Sequence, residues 1–190
     1  MMKNLIPILL FLSGCTSKQY DNPHVIINTQ FGEIELEVYP AKAPLTVEAF
    51  FKNIDLGYYR DCAFYRVLKT DDVPANVNTG LIQGGVYKSQ KKLQLMGTPH
   101  ETTHRSGLTH TDGTVSMART NPGSATTEFF ICIGDQSPLD SGRRGTADGL
   151  GMAAFGKVFK GMDVVRRIQA QENTGDAFKN DITIKSIKKL

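Results

Sequence analysis

Two polar side chains stand inside short apolar runs where a strand core has no use for them. Phe64-Tyr65-Arg66-Val67-Leu68 carries an arginine, and Leu81-Ile82-Gln83-Gly84-Gly85 carries a glutamine. Among Phe, Tyr, Val, Leu and Ile, a guanidinium and a primary amide need hydrogen-bond partners or a groove to face. Either both point to solvent from the outer face of an antiparallel strand, or both line a substrate site. Sets that carry nucleophilic or phosphate chemistry are missing: there is no G-x-S-x-G elbow, no P-loop and no G-x-G-x-x-G after a strand. Neither Cys62 nor Cys132 sits near a histidine in a known pattern. Whether those two cysteines pair or stay as buried thiols is not decided by spacing or motif.

A second constellation spells H-E-x-x-H-x-x-G-x-x-H from His100 and Glu101 through His104 and Gly107 to His110, the metzincin zinc-protease pattern in full. That chemistry needs the first two histidines one helical turn apart, the glutamate beside a zinc-bound water, and a glycine turn delivering the third ligand. The context does not supply the helix. It would begin at its own first ligand, and no residue between Pro99 and Gly107 gives it an apolar face to bury. Thr102 and Thr103 lower its propensity further. An exposed loop is the expectation here, ahead of an incidental metal site and far ahead of a protease.

Composition narrows the rest. The chain has 190 residues, 40% hydrophobic and 22% charged, which suits one globular domain. Net charge is +3 and the basic pairs are scattered, so nucleic-acid binding, which wants a concentrated stripe, is not supported. Residues 1–14 read as a signal peptide: Leu5 to Phe11 is apolar but too short to span a bilayer. Leu12-Ser13-Gly14-Cys15 resembles the bacterial lipobox, in which the cysteine is lipidated and becomes the mature N-terminus; an ordinary secretory signal is the alternative. Lipid on Cys15 would tie the chain to a membrane. Thr16 stands where an inner-membrane retention signal often has aspartate, which favours the outer membrane, facing the periplasm. Residues 15–23 read as a polar tether and residues 24–190 as the domain.

The elements that must position Arg66 and Gln83 follow from hydropathy. Val25-Ile26-Ile27 and Ile34 to Val38 flank a turn and predict a hairpin with one buried face. Pro44 opens a helix whose Val47, Phe50, Phe51 and Ile54 share a face, and Gly57 ends it. After the two runs already quoted, strands are predicted at Thr114 to Ala118, Glu128 to Ile133, Ala153 to Val158 and Ile182 to Ile187. A second helix fits Met162 to Gln169. Many short strands in hairpin order with two helices predict a mainly β fold, a closed eight-stranded antiparallel barrel capped by two α-helices.

The motifs also fall in a familiar order. Phe64-Tyr65-Arg66-Val67, Leu81-Ile82-Gln83-Gly84-Gly85, Gly113 to Arg119, Glu128-Phe129-Phe130-Ile131-Cys132, Pro138-Leu139-Asp140 and Ala154-Phe155-Gly156-Lys157-Val158 together resemble a bacterial cyclophilin-type peptidyl-prolyl cis/trans isomerase from Val25 onward. The resemblance implies an enzyme that accelerates rotation about X-Pro bonds in unfolded or partly folded polypeptides and, with the leader, assists exported proteins; the alternative is a peptide-holding module with little turnover. It implies that Arg66 donates toward the proline nitrogen and that Gln83 helps hold the amide, with no metal and no cofactor. It places Phe130 at the floor of the proline pocket, with Leu81, Leu139 and Met152 as walls. Ala118 and Arg119 would pair with the substrate backbone, and Phe64 and Glu128 would also face the substrate.

There are departures from the family pattern. Pro138 stands where many members have tryptophan, Met152 where many have histidine, Arg119 where many have asparagine, and Glu128 where glutamine is common. The interval between Arg66 and Gln83 is longer than usual. The pocket phenylalanine expected shortly before Leu81 is missing, with Gly80 nearest.

Overall fold

In the computed structural model the described residues are 20–60, 62–87, 93 and 95–190. The leader, Cys15 and residues 16–19 of the tether lie outside them. Residues 20–23 of the tether lie against the domain: Pro23 O accepts from Val38 N–H (3.0 Å), Asn22 donates to Glu37 Oε1 (3.0 Å), and the Tyr20 ring stacks on His24 at 3.6 Å.

The strands are β1 (His24–Thr29), β2 (Gly32–Val38), β3 (Cys62–Leu68), β4 (Gly80–Gly85), β5 (Thr114–Met117), β6 (Phe129–Ile133), β7 (Ala153–Lys160), β8 (Asn173–Thr174) and β9 (Ala177–Lys189). All pair antiparallel, in the order β1-β2-β7-β5-β6-β4-β3-β9, and pairing of β1 with β9 closes an eight-stranded barrel. The short β8 only forms a hairpin with the start of β9. The last strand is far longer than its apolar stretch predicts, because its polar residues 179–181 continue the strand on the exposed side. Alternation sorts the side chains as expected. Val25, Ile27, Ile34, Leu36, Phe129, Ile131 and Ile184 fill the interior, while Phe130, Cys132 and Leu81 form a second cluster on the outer face. Phe50, Phe64, Phe129 and Phe155 pack ring to ring inside.

Helix α1 (Pro44–Asp55) closes one end of the barrel and α3 (Met162–Gln169) the other. A third helix, unanticipated from sequence, is the single turn α2 (Thr103–Ser106). It lies within the H-E-x-x-H stretch but starts after Glu101. That stretch is not an exposed loop: Glu101, Thr103, Ser106 and His110 are buried. Ala43, at the head of α1, has no side chain to cap it. Glu101 caps it from across the fold, accepting from Thr46 N–H (2.8 Å), Thr46 Oγ1 (2.7 Å) and Leu45 N–H (3.3 Å). A carboxylate at a helix N-terminus meets free N–H groups and the positive end of the dipole, so burial costs it little.

Cys62 and Cys132 are both buried and no disulfide joins them. Cys62 donates to Tyr59 O (2.9 Å), and burial pushes the Cys132 thiol above its ordinary range.

Candidate active site

One irregularity in β3 decides where the polar side chains go. The register against β4 and β9 shifts between Phe64 and Arg66, a bulge that inserts Tyr65. Without it, Arg66 would share the inward face with Phe64. With it, Phe64 and Val67 point into the core while Tyr65 and Arg66 both line the outer groove. The expectation that Phe64 faces substrate is therefore corrected. Its ring is fully buried against Phe129, and Gly84 makes room for it: a Cβ there would lie 2.8 Å from Phe64 Cδ1.

The groove encloses about 590 Å³ and gathers Arg66, Gln83, Leu81, Ala118, Arg119, Glu128, Phe130, Leu139 and Met152. Tyr65, Leu68 and Tyr87 line it too and were not anticipated. A chain of hydrogen bonds crosses it. Arg66 donates from Nε to Asp176 Oδ2 (2.7 Å) and from Nη1 to Gln83 Oε1 (3.1 Å). Gln83 Nε2 donates to the Tyr65 hydroxyl (2.8 Å), which donates to Glu128 Oε2 (2.6 Å). Glu128 Oε1 accepts from Val86 N–H (2.8 Å), Tyr87 N–H (3.0 Å) and the Thr127 hydroxyl (3.1 Å). Every amide and hydroxyl in the chain is thereby oriented. The Nη2 hydrogens of Arg66 have no protein partner among the described residues, so they remain to meet a ligand. Burial pushes the Glu128 carboxyl up, against four donors that favour its charged form, and burial with the Glu128 contact pushes the Tyr65 phenol up.

Beneath the groove, Phe130 stacks on His110 with ring centroids 5.9 Å apart and planes 15° from parallel. Asp140 Oδ1 accepts from the His110 backbone N–H (2.9 Å) and contacts Nδ1 (2.7 Å), while Ser116 Oγ lies 3.0 Å from Nε2. The carboxylate requires the Nδ1–H tautomer, so Nε2 accepts from Ser116. Burial lowers the His110 pKa in spite of Asp140. This Ser-His-Asp arrangement has hydrolase spacing but no access: Ser116 and His110 are wholly buried. It ties Phe130 to Asp140, the neighbour of Leu139, and both Phe130 and Leu139 line the groove.

Arg119 does not offer a bare charge to the groove. It forms a bidentate pair with Asp148 (2.7 and 2.9 Å) and donates from Nε to Gly151 O (3.0 Å), fixing the loop that delivers Met152. The same pairing holds the Asp148 carboxyl well below the usual carboxylate range. The missing phenylalanine is explained at Gly80, where φ is +134° and a Cβ would meet Leu68 O. No larger residue fits, and Leu68, opposite Leu81 in register, edges the groove.

The family model described as "Cyclophilin type peptidyl-prolyl cis-trans isomerase/CLD" matches residues 24–189. The chain belongs to that family. It is similar to peptidyl-prolyl cis-trans isomerase A of Dickeya dadantii, 39% identical over 155 residues that cover 80% of this chain and 75% of the relative. It is also similar to peptidyl-prolyl cis-trans isomerase B of Escherichia coli, 35% identical over 170 residues covering 86% and 97%. A cyclophilin-type isomerase of Cryptosporidium parvum, crystallised in the presence of the dipeptide Ala-Pro, shares the fold with a TM-score of 0.68 at 21% identity, covering 86% of this chain and 96% of that one. The protein is thus a cyclophilin-type peptidyl-prolyl cis-trans isomerase. In this cyclophilin Pro138 sits exposed in the 3-10 turn Ser137–Leu139 and is not among the groove-lining residues. The histidines of the H-E-x-x-H pattern have separate surroundings. His100 Nε2 lies 3.3 Å from Leu150 O, His110 is enclosed under Phe130, and His104 is exposed on α2.

Proposed function

We propose that the groove takes proline-containing segments of unfolded or partly folded polypeptides, with the proline ring on Phe130 between Leu81, Leu139 and Met152, and that Arg66 drives the rotation. An X-Pro amide resists rotation because resonance gives its C–N bond double-bond character, a barrier of about 18–20 kcal/mol. When the amide twists, the nitrogen lone pair localises and becomes an acceptor. A donor held beside that nitrogen stabilises the twisted state more than either planar form, which is what acceleration requires. No bond is made or cut, so no nucleophile, metal or cofactor is needed. Gaining about five decades in rate takes about 7 kcal/mol. The observation that carries this reading is the guanidinium of Arg66, anchored at Nε and Nη1 beside an apolar pocket, with no partner for Nη2 among the described residues. Gln83 anchors Arg66 and holds the amide, and Ala118 and Arg119 pair with the substrate backbone. Peptide exchange measured by NMR with the purified protein tests it: turnover of an Ala-Pro peptide is expected, and binding with exchange at the uncatalysed rate would leave only a peptide-holding module.

The leader adds a place of work. Leu12 to Cys15 supports lipidation at Cys15 and attachment to the cell envelope, in the outer membrane facing the periplasm, where exported proteins fold. In cells fed an alkyne-labelled fatty acid, the protein is expected to take up label and sediment with membranes, and Cys15→Ser to do neither. An unlabelled, soluble wild type would refute the anchor.

A further inference from the structure

Charges lining the groove are not equally compensated. Arg66 is paired with Asp176, and Arg119 with Asp148. Among the described residues no cation pairs with Glu128. Its partners are the hydroxyls of Tyr65 and Thr127 and the backbone N–H groups of Val86 and Tyr87, all neutral, and no lysine, arginine or histidine among the described residues pairs with it. A carboxylate has about four lone-pair sites, two on each oxygen. Three donors crowd Oε1 but, among the described residues, only the Tyr65 hydroxyl reaches Oε2, so Oε2 keeps an acceptor site.

The placement is built, not incidental. Gly85, at φ +149°, lies so close that a Cβ would come within 2.5 Å of the Glu128 carboxyl, so the backbone there accommodates this side chain. Glu128 precedes the floor residue Phe130 by two positions, about 7 Å along a strand and on the same face. A cationic side chain within two residues of a seated proline therefore comes within reach of Oε2. Partly shielded from water and without a counter-ion among the described residues, such a carboxylate gains more from a cation than a solvated one would.

We infer that Glu128 is a specificity-determining residue, and that the groove selects X-Pro segments carrying lysine or arginine within two residues of the proline. This rests on the groove being the substrate site. A bound lysine or arginine supplies the positive charge that the described groove residues do not bring to Glu128, and a glutamate at the same place meets repulsion.

The test uses the purified full-length protein and a peptide set in which lysine, alanine or glutamate occupies, in turn, each of the two positions on either side of an Ala-Pro pair. Exchange rates by NMR and affinities by isothermal titration calorimetry are both read. At one position or more, kcat/KM for lysine is expected to exceed that for alanine about fivefold, with glutamate below alanine. The preference should shrink in high salt, and Glu128→Gln, nearly isosteric, should bring the lysine-to-alanine ratio near one whatever its absolute rate. Equal rates for lysine and alanine peptides in the wild type at every position would overturn the proposal, as would a preference that Glu128→Gln retains. Salt dependence in the wild type decides the matter if that variant does not fold. Should no peptide be isomerised, the isomerase mechanism fails separately, and the same ratio is read from the affinities.

Discussion

Asp176 lies 110 residues from Arg66 in sequence yet holds its Nε at 2.7 Å. Removing it with Asp176→Ala leaves the guanidinium on Gln83 alone. Both partners of the ion pair are substantially exposed, with side chains 37% and 58% accessible, so the pair contributes little to folding. A change in melting temperature no larger than about 3 °C is expected. Turnover should respond more. Freezing an entire arginine side chain costs entropy equivalent to about thirtyfold in rate, and losing one of two anchors about half of that on a logarithmic scale, or about fivefold. The loss should fall on kcat, because orientation matters most when the twisted nitrogen presents its lone pair. Asp176→Asn keeps an acceptor oxygen at the same place and should recover most of the rate. At 1 M salt, where charges are screened within about 3 Å, the wild type should approach the alanine variant. Asp176→Ala with wild-type kcat at low salt would refute the reasoning, showing that Gln83 alone aligns Arg66.

Two further outcomes follow from the buried polar groups. Glu101→Ala strips the N-terminus of α1 of its acceptor and should lower stability by about 3 kcal/mol, or roughly 6–12 °C in melting temperature, with isomerisation by the folded fraction intact; an unchanged melting temperature would contradict the capping role. His110, whose pKa burial lowers, is neutral when folded, so the unfolded chain takes up the extra proton and stability falls as pH drops below about 6.5. Nitrogen NMR should find its Nδ1–H tautomer unchanged at pH 6, and an ordinary titration there would contradict the enclosed Asp140–His110–Ser116 arrangement.

The barrel and the groove's main residues were legible in the sequence because both are written locally. Alternation in β2 and β6 fixes which side chains face in, and Arg66, Gln83 and Phe130 sit in short motifs of recognisable order. What was not legible depends on register or on distant partners. The bulge at Tyr65 inverts the facing that simple alternation assigns to Arg66, and it sends Phe64 to the core. Nothing near Asp176 signals that it closes on an arginine in another strand. Glu101 does not read as a cap in the sequence because capping residues normally stand beside their helix, whereas this one comes from 55 positions away. Gly80 looked like a loss of pocket surface. The contact with Leu68 O shows that the backbone there admits no side chain, and Leu68 supplies the edge instead.

Arg66, anchored and aimed, is the residue proposed to lower the rotational barrier. The most direct test of that role is the NMR exchange rate of an Ala-Pro peptide with wild type, Arg66→Ala and Arg66→Lys, alongside melting temperatures. Loss of a preorganised charged donor in a partly dry site predicts a fall in kcat/KM of about a hundredfold or more for Arg66→Ala, with little recovery by lysine, which lacks the planar fork, and a melting temperature near wild type. Arg66→Ala that turns over at close to the wild-type rate would contradict the account.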